Sequence, residues 1–175
     1  MKELENKGRI NVGSTSKPKA KPAKKTKAIT RPKASSRARI LVIDDEIDFA
    51  RMIQTSLLQT GYRVDIAQSA TQAIALQRKN AYDLALVDLR MPEMTGLELL
   101  QYLKLRDRRI FIILMTAYGS FSVGIEALKK GACDYMAKPF KLTSMKEKVA
   151  EALKRRTHFL EEQSVSPERS TMDEW

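Results

Sequence analysis

Apolar residues along this chain alternate between two rhythms from residue 39 onward. Five short stretches, Ile40 to Ile43, Val64 to Ala67, Leu84 to Val87, Ile110 to Met115 and Cys133 to Met136, have the length of strands, and the solid apolar run Leu84 to Val87 reads as one buried on both faces. The fourth is the strongest, with β-branched Ile110, Ile112 and Ile113 among six apolar residues. Between the runs the spacing becomes helical. Phe49, Met52, Ile53 and Leu57 mark a first helical face that stops at Gly61. Ser69 with Gln72 forms a capping box ahead of Ala70, Ala73 and Ile74, with Asn80 as a left-handed stop. Thr95 with Glu98 forms another ahead of Leu99, Leu100 and Leu103, just past Pro92, which bars a regular continuation of the third strand. Phe121, Ile125 and Leu128 supply a fourth helix closed by Gly131. Leu142, Met145, Val149 and Leu153 face inward from a fifth, which runs into Lys154-Arg155-Arg156.

Five β-α units in succession predict an α/β fold, a doubly wound parallel sheet covered by helices on both faces, because parallel strands need right-handed crossovers. Sheets of this kind bind ligands outside the carboxyl ends of their strands. Here those ends carry Asp44 and Asp45, then Asp88, Thr116 and Lys138. One aspartate at a strand end is ordinarily a helix cap or a solvated loop residue. Three carboxylates, a hydroxyl and an ammonium on one edge of an otherwise apolar sheet are not explained that way.

Crowded carboxylates repel one another, which raises their proton affinity or calls for a cation. Hard oxygen donors with positions left for water and phosphate suit Mg²⁺, and no His or Cys cluster points to a softer metal. Such an ion screens the charge between a phosphoryl group and an attacking carboxylate, while a lysine and a threonine hydroxyl can hold phosphoryl oxygens as charge accumulates. The edge is suited to phosphorylating its own aspartate.

Charge divides the chain. Residues 1–39 hold 13 of the 32 basic residues and two of the 21 acidic ones, so residues 40–175 carry 19 of each. The net charge of +11 therefore belongs to the beginning of the chain. Residues 1–38 lack aromatic residues, scatter Pro18, Pro22 and Pro32 through Lys-, Ala-, Thr- and Ser-rich sequence, and read as a disordered basic arm. The arm is either a solubilising linker or an electrostatic arm for nucleic acid or another polyanion; without aromatic or Arg-rich patterning the first is preferred. Cys133 is the one cysteine, so no internal disulfide forms, and no apolar run reaches the roughly 18–20 residues that span a bilayer. No apolar signal segment follows the basic start, and a cytoplasmic location is expected.

With these motifs in hand, residues 39–157 resemble the receiver domain of two-component response regulators. The resemblance rests on Asp44-Asp45, the run from Asp88 through Met91-Pro92 to Gly96, Thr116-Ala117 and Lys138-Pro139-Phe140. It implies a flavodoxin-like (βα)5 fold with strand order 2-1-3-4-5, the order of the family's chemotaxis member. It also implies that Asp88 is the phosphoacceptor, that Asp45 ligates Mg²⁺ directly and Asp44 through water, and that Arg90 lends its backbone carbonyl. Thr116 and Lys138 would bind the phosphoryl group, Tyr135 would change rotamer on switching, and the Lys138-Pro139 bond would be cis. Arg90 and Tyr118 would flank the phosphoryl group and time its loss. Residues 115–140 look most like receivers that precede sigma-54-dependent activators, yet no ATPase or DNA-binding module follows.

A dehalogenase-type phosphatase needs an acid two residues after its nucleophile, where this chain has Arg90. A flavodoxin needs a Ser/Thr-rich first loop, where this chain has Asp44-Asp45-Glu46. His158, among charged residues, reads as solvated, and residues 158–175 as a helix end and polar tail, frayed from residue 161. The expected function is a stand-alone receiver, not an enzyme beyond its own aspartyl phosphorylation and dephosphorylation. Its partners are a histidine kinase or His-phosphotransfer protein, and then a protein or a second copy docking on the fourth helix, fifth strand and fifth helix.

Overall fold

The computed structural model describes residues 37–117 and 121–165. The basic arm up to residue 36, residues 118–120 with Tyr118 among them, and residues 166–175 lie outside that range. Five strands, β1 (Arg39–Ile43), β2 (Arg63–Ala67), β3 (Leu84–Asp88), β4 (Phe111–Thr116) and β5 (Asp134–Ala137), alternate with five helices. These are α1 (Ile47–Gln59), α2 (Ala70–Lys79), α3 (Gly96–Arg106), α4 (Phe121–Lys129) and α5 (Leu142–Val165). All strand pairs are parallel and the order is β2-β1-β3-β4-β5, the order that the resemblance implied.

Because successive side chains of a strand leave by opposite faces, the solid apolar runs feed two cores at once. Leu41, Ile43, Ala85, Val87, Ile112 and Leu114 meet Ala73 of α2, Leu99, Leu100 and Leu103 of α3, and Ala127 of α4. Their neighbours Ile40, Val42, Leu84, Leu86, Ile113 and Met115 meet Ala50, Ile53 and Leu57 of α1 and Met145, Val149 and Ala152 of α5. The sheet is thus wound on both sides, and its carboxyl edge is where the chain leaves every strand.

Local signals acted largely as the pattern predicts. Thr95 and Glu98 close a full capping box, with Thr95 Oγ1 accepting from the Glu98 N–H at 3.3 Å and Glu98 Oε2 from the Thr95 N–H at 2.9 Å. Ser69 Oγ likewise accepts from the Gln72 N–H, whereas Gln72 reaches one residue further back, to the Gln68 N–H. Gly61 and Gly131 take positive φ after α1 and α4, the left-handed stops expected there.

Four expectations are corrected. Asn80 is extended, with φ −136° and ψ 147°, because the chain passes directly into the approach to β3 and has no reversal to make. On α1, Met52 is outward at 43% exposure while Ile53 and Leu57 are buried. On α4, Ile125 and Leu128 face outward at 38% and 47% exposure, and Gly124 and Ala127 take the sheet side. The α5 helix does not fray at residue 161. It continues to Val165, anchored below the sheet by Arg156, which meets the Asp83 carboxylate at 2.8 Å and donates from Nε to the Arg109 carbonyl at 2.7 Å, and by Phe159 tilted on Phe111.

Candidate functional site

The carboxyl edge assembles from four strand ends. The β1 strand stops at Asp44, whose N–H donates to the Ala67 carbonyl of β2 and whose Oδ1 accepts from the Glu46 N–H, so Asp44 is fixed and only 1% exposed. Asp88 ends β3 at 6% exposure, with Oδ2 accepting from the Arg90 N–H at 2.8 Å. Thr116 ends β4 and is 2% exposed, and its carbonyl accepts the Lys138 N–H at 2.7 Å. That bond ties the end of β5 to the end of β4. The Lys138-Pro139 peptide is cis, as the resemblance implied.

Lys138 gathers the edge. Its Nζ lies 2.6 Å from Asp44 Oδ2 and 2.7 Å from Asp88 Oδ1, so one ammonium bridges two nearly buried carboxylates from different strands. It also lies 4.3 Å from the centroid of Phe49, whose ring meets Phe140 edge-on at 5.6 Å. The aromatic shelf limits where the lysine can point and adds a cation–π attraction. Phe49 was legible only as part of a helical face. Its signal is its place in the first turn of α1, four residues past Asp45.

The electrostatics follow from this geometry. Burial pushes the Asp44 carboxyl above the usual carboxylate range, with the Asp88 charge adding to the rise and the Lys138 bond holding it back. Burial pulls the Lys138 ammonium down, but its hydrogen bonds and charge pairing with Asp44 and Asp88 outweigh that, and its pKa is raised. Lysine therefore stays charged beside the acids.

The predicted residues divide into those brought together and those set apart. Asp44, Asp88 and Lys138 are in direct contact, and Thr116 is bonded through its backbone. Arg90, itself exposed, joins them through its backbone N–H to Asp88 Oδ2, and Asp45 lies at an exposed position on the same edge. Tyr135 is half-buried on β5, paired in register with Leu114 two residues before Thr116. Among the described residues, no three His, Cys, Asp or Glu side chains converge into a ready metal cage. The donor set still suits a hard divalent cation, because Asp44 and Asp88 already bring two oxygen-donor carboxylates together at Lys138 and exposed Asp45 follows Asp44 directly. Mg²⁺ typically takes only one or two carboxylates and keeps waters.

Residues 40–150 match the response regulator receiver domain, and the chain belongs to that family of two-component signalling proteins. It is 41% identical over 114 residues, 65% of its length, to the transcriptional regulatory protein ZraR of Klebsiella oxytoca, of which it covers 26%. The chain thus spans about a quarter of the length of the ZraR proteins it matches. Among solved structures it is similar to a CheY-like receiver domain protein from Methanospirillum hungatei (TM-score 0.67, 31% identity, 70% of this chain and 98% of that one). It is also similar to the response regulator TrrA of Thermotoga maritima, solved in complex with Mg²⁺-BeF (TM-score 0.60, 31% identity, 66% of this chain and 98% of that one). Among the described residues no helix is long and apolar enough to cross a membrane.

Proposed function

We propose that the chain accepts a phosphoryl group on Asp88 from a histidine kinase or a histidine-containing phosphotransfer protein, and that this changes what its α4–β5–α5 face binds. The observation that carries the reading is the Lys138 ammonium held between Asp44 and Asp88. In the transfer, an Asp88 carboxylate oxygen forms a bond to phosphorus while the bond from phosphorus to the donor nitrogen breaks; that nitrogen keeps the electron pair, and a proton on the donor's other ring nitrogen lets it leave as neutral imidazole. Lys138 and the Thr116 hydroxyl receive charge building on the phosphoryl oxygens, and Lys138 exchanges its ion pair with Asp88 for one with the new phosphate. Bound Mg²⁺ would supply charge screening between carboxylate and phosphoryl group. Asp45 and Asp88 would hold it, with Asp44 acting through water and the Arg90 backbone carbonyl completing the donors.

The output side is supported by β5 being an edge strand and by Ile125 and Leu128 exposed on the adjacent α4. A protein partner or a second copy of this chain would cover that face. The direct test is to incubate the chain with Mg²⁺ and a small phosphodonor such as acetyl phosphate. Wild type gains one acid-stable, base-labile phosphoryl group and Asp88→Asn gains none; equal labelling of the two moves the acceptor elsewhere.

A further inference from the structure

Gly124 lies in the middle of α4, buried, where glycine is a poorer helix former than alanine. Its absence of a side chain has a local cause. A Cβ built there falls 2.5 Å from Cε1 and Cζ of Tyr135 and 2.9 Å from Cε2, so the hydroxyl-bearing end of the ring rests directly on the helix backbone. No alanine methyl fits beneath the ring in that position.

The rest of Tyr135 cannot move aside as a unit. Its backbone is in β5, in register with Leu114, and its N–H donates to Asp134 Oδ1 at 2.7 Å. Asp134 is in turn paired with Lys148 of α5 at 2.5 Å. Tyr135 itself lines a groove together with Met136, Phe140, Ser144 and Lys148, the last two from α5.

We propose that Gly124 is a positioning residue for the output face: it is the seat of the Tyr135 ring, and the seat decides whether the ring lies against α4 or toward α5. The functional part rests on the reading of Tyr135 as the switching aromatic, whereas the seat itself rests on the steric contact. Filling it with a methyl group displaces the ring without touching Asp88, Lys138 or Thr116.

The experiment uses the full chain labelled with fluorotyrosine, with the Tyr135 resonance assigned by its loss in Tyr135→Phe. Gly124→Ala is expected to shift that resonance with no phosphodonor present. It is also expected to lower the thermal midpoint in the otherwise wild-type chain, yet to raise it in a Tyr135→Ala chain, where helix propensity alone acts. A resonance unchanged by Gly124→Ala, or a midpoint raised in both backgrounds, overturns the proposal. If Gly124→Ala displaces the ring but phosphorylation of Asp88 leaves the wild-type resonance where it was, the seat stands and the switch reading fails.

Discussion

Lys138 Nζ and Asp88 Oδ1 stand 2.7 Å apart, joining the last strand of the sheet to its central one across the candidate site. Because the same ammonium serves Asp44, Lys138→Met leaves two nearly buried carboxylates facing each other. Removing one partner of a buried pair costs about 3–5 kcal/mol, and the partial exposure of Lys138 places the loss near 3 kcal/mol. Urea unfolding in the presence of a chelator measures it. Mg²⁺ should then restore more stability to the variant than to wild type, since a ligand that binds only the folded state adds to its stability. A midpoint unchanged by Lys138→Met in chelator contradicts the geometry.

Gly96 opens α3 and packs under the Asp88 backbone. A Cβ there would collide with the Asp88 carbonyl oxygen and lie 2.9 Å from Leu89 Cα, and backbone atoms cannot swing away as a side-chain tip can. Gly96→Ala is expected to cost about 2 kcal/mol, as overpacking does, and to slow Asp88 labelling under conditions where the variant is still folded. Wild-type stability and labelling rate together would refute the close approach.

The strands, the carboxyl edge and the α3 capping box were legible because each depends on neighbours in sequence: solid apolar runs, residues at run ends, and a side chain reaching three positions along. The inward face of α4 was not. Its nine residues are largely apolar, so the spacing of Phe121, Ile125 and Leu128 offered a stripe, yet Ile125 and Leu128 turn outward. On the inward side Gly124 lies against the Tyr135 ring, with no room there for a Cβ, and that contact crosses from strand to helix. Phe49 beneath Lys138 and the Arg156 anchor to Asp83 are likewise long-range pairings that local pattern cannot carry. The polar composition of residues 161–165 suggested fraying, but the anchored helix before them continues in register.

Tyr82 ties the other end of the sheet. It is 2% exposed, its hydroxyl donates to Asp65 Oδ2 at 2.8 Å, and Arg39 pairs with the same oxygen at 2.8 Å. Burial, then the Asp65 bond, pushes its pKa from 10.0 to about 12. Between those values the folded chain keeps a proton that the unfolded chain has lost, so stability falls as pH rises through the window. Denaturant midpoints measured across that range should drop more steeply for wild type than for Tyr82→Phe. Parallel slopes would show that the phenol titrates normally.

The Arg156 guanidinium reaches two acceptors at once, the Asp83 carboxylate and the Arg109 carbonyl, which a lysine cannot match. Arg156→Ala is expected to destabilise by about 1–2 kcal/mol, with Arg156→Lys recovering only part. Full recovery by lysine would reduce the contact to a simple charge pair.

The most direct measurement of the central claim is to locate the phosphoryl group chemically. Wild type is labelled with acetyl phosphate and Mg²⁺, the acyl phosphate is reduced with borohydride to homoserine, and the converted residue is identified by peptide mass spectrometry. Homoserine is expected at position 88 alone, with Asp44 and Asp45 intact. Conversion at Asp44 or Asp45, or none at Asp88 in a chain that has taken up label, would contradict phosphoryl transfer to Asp88.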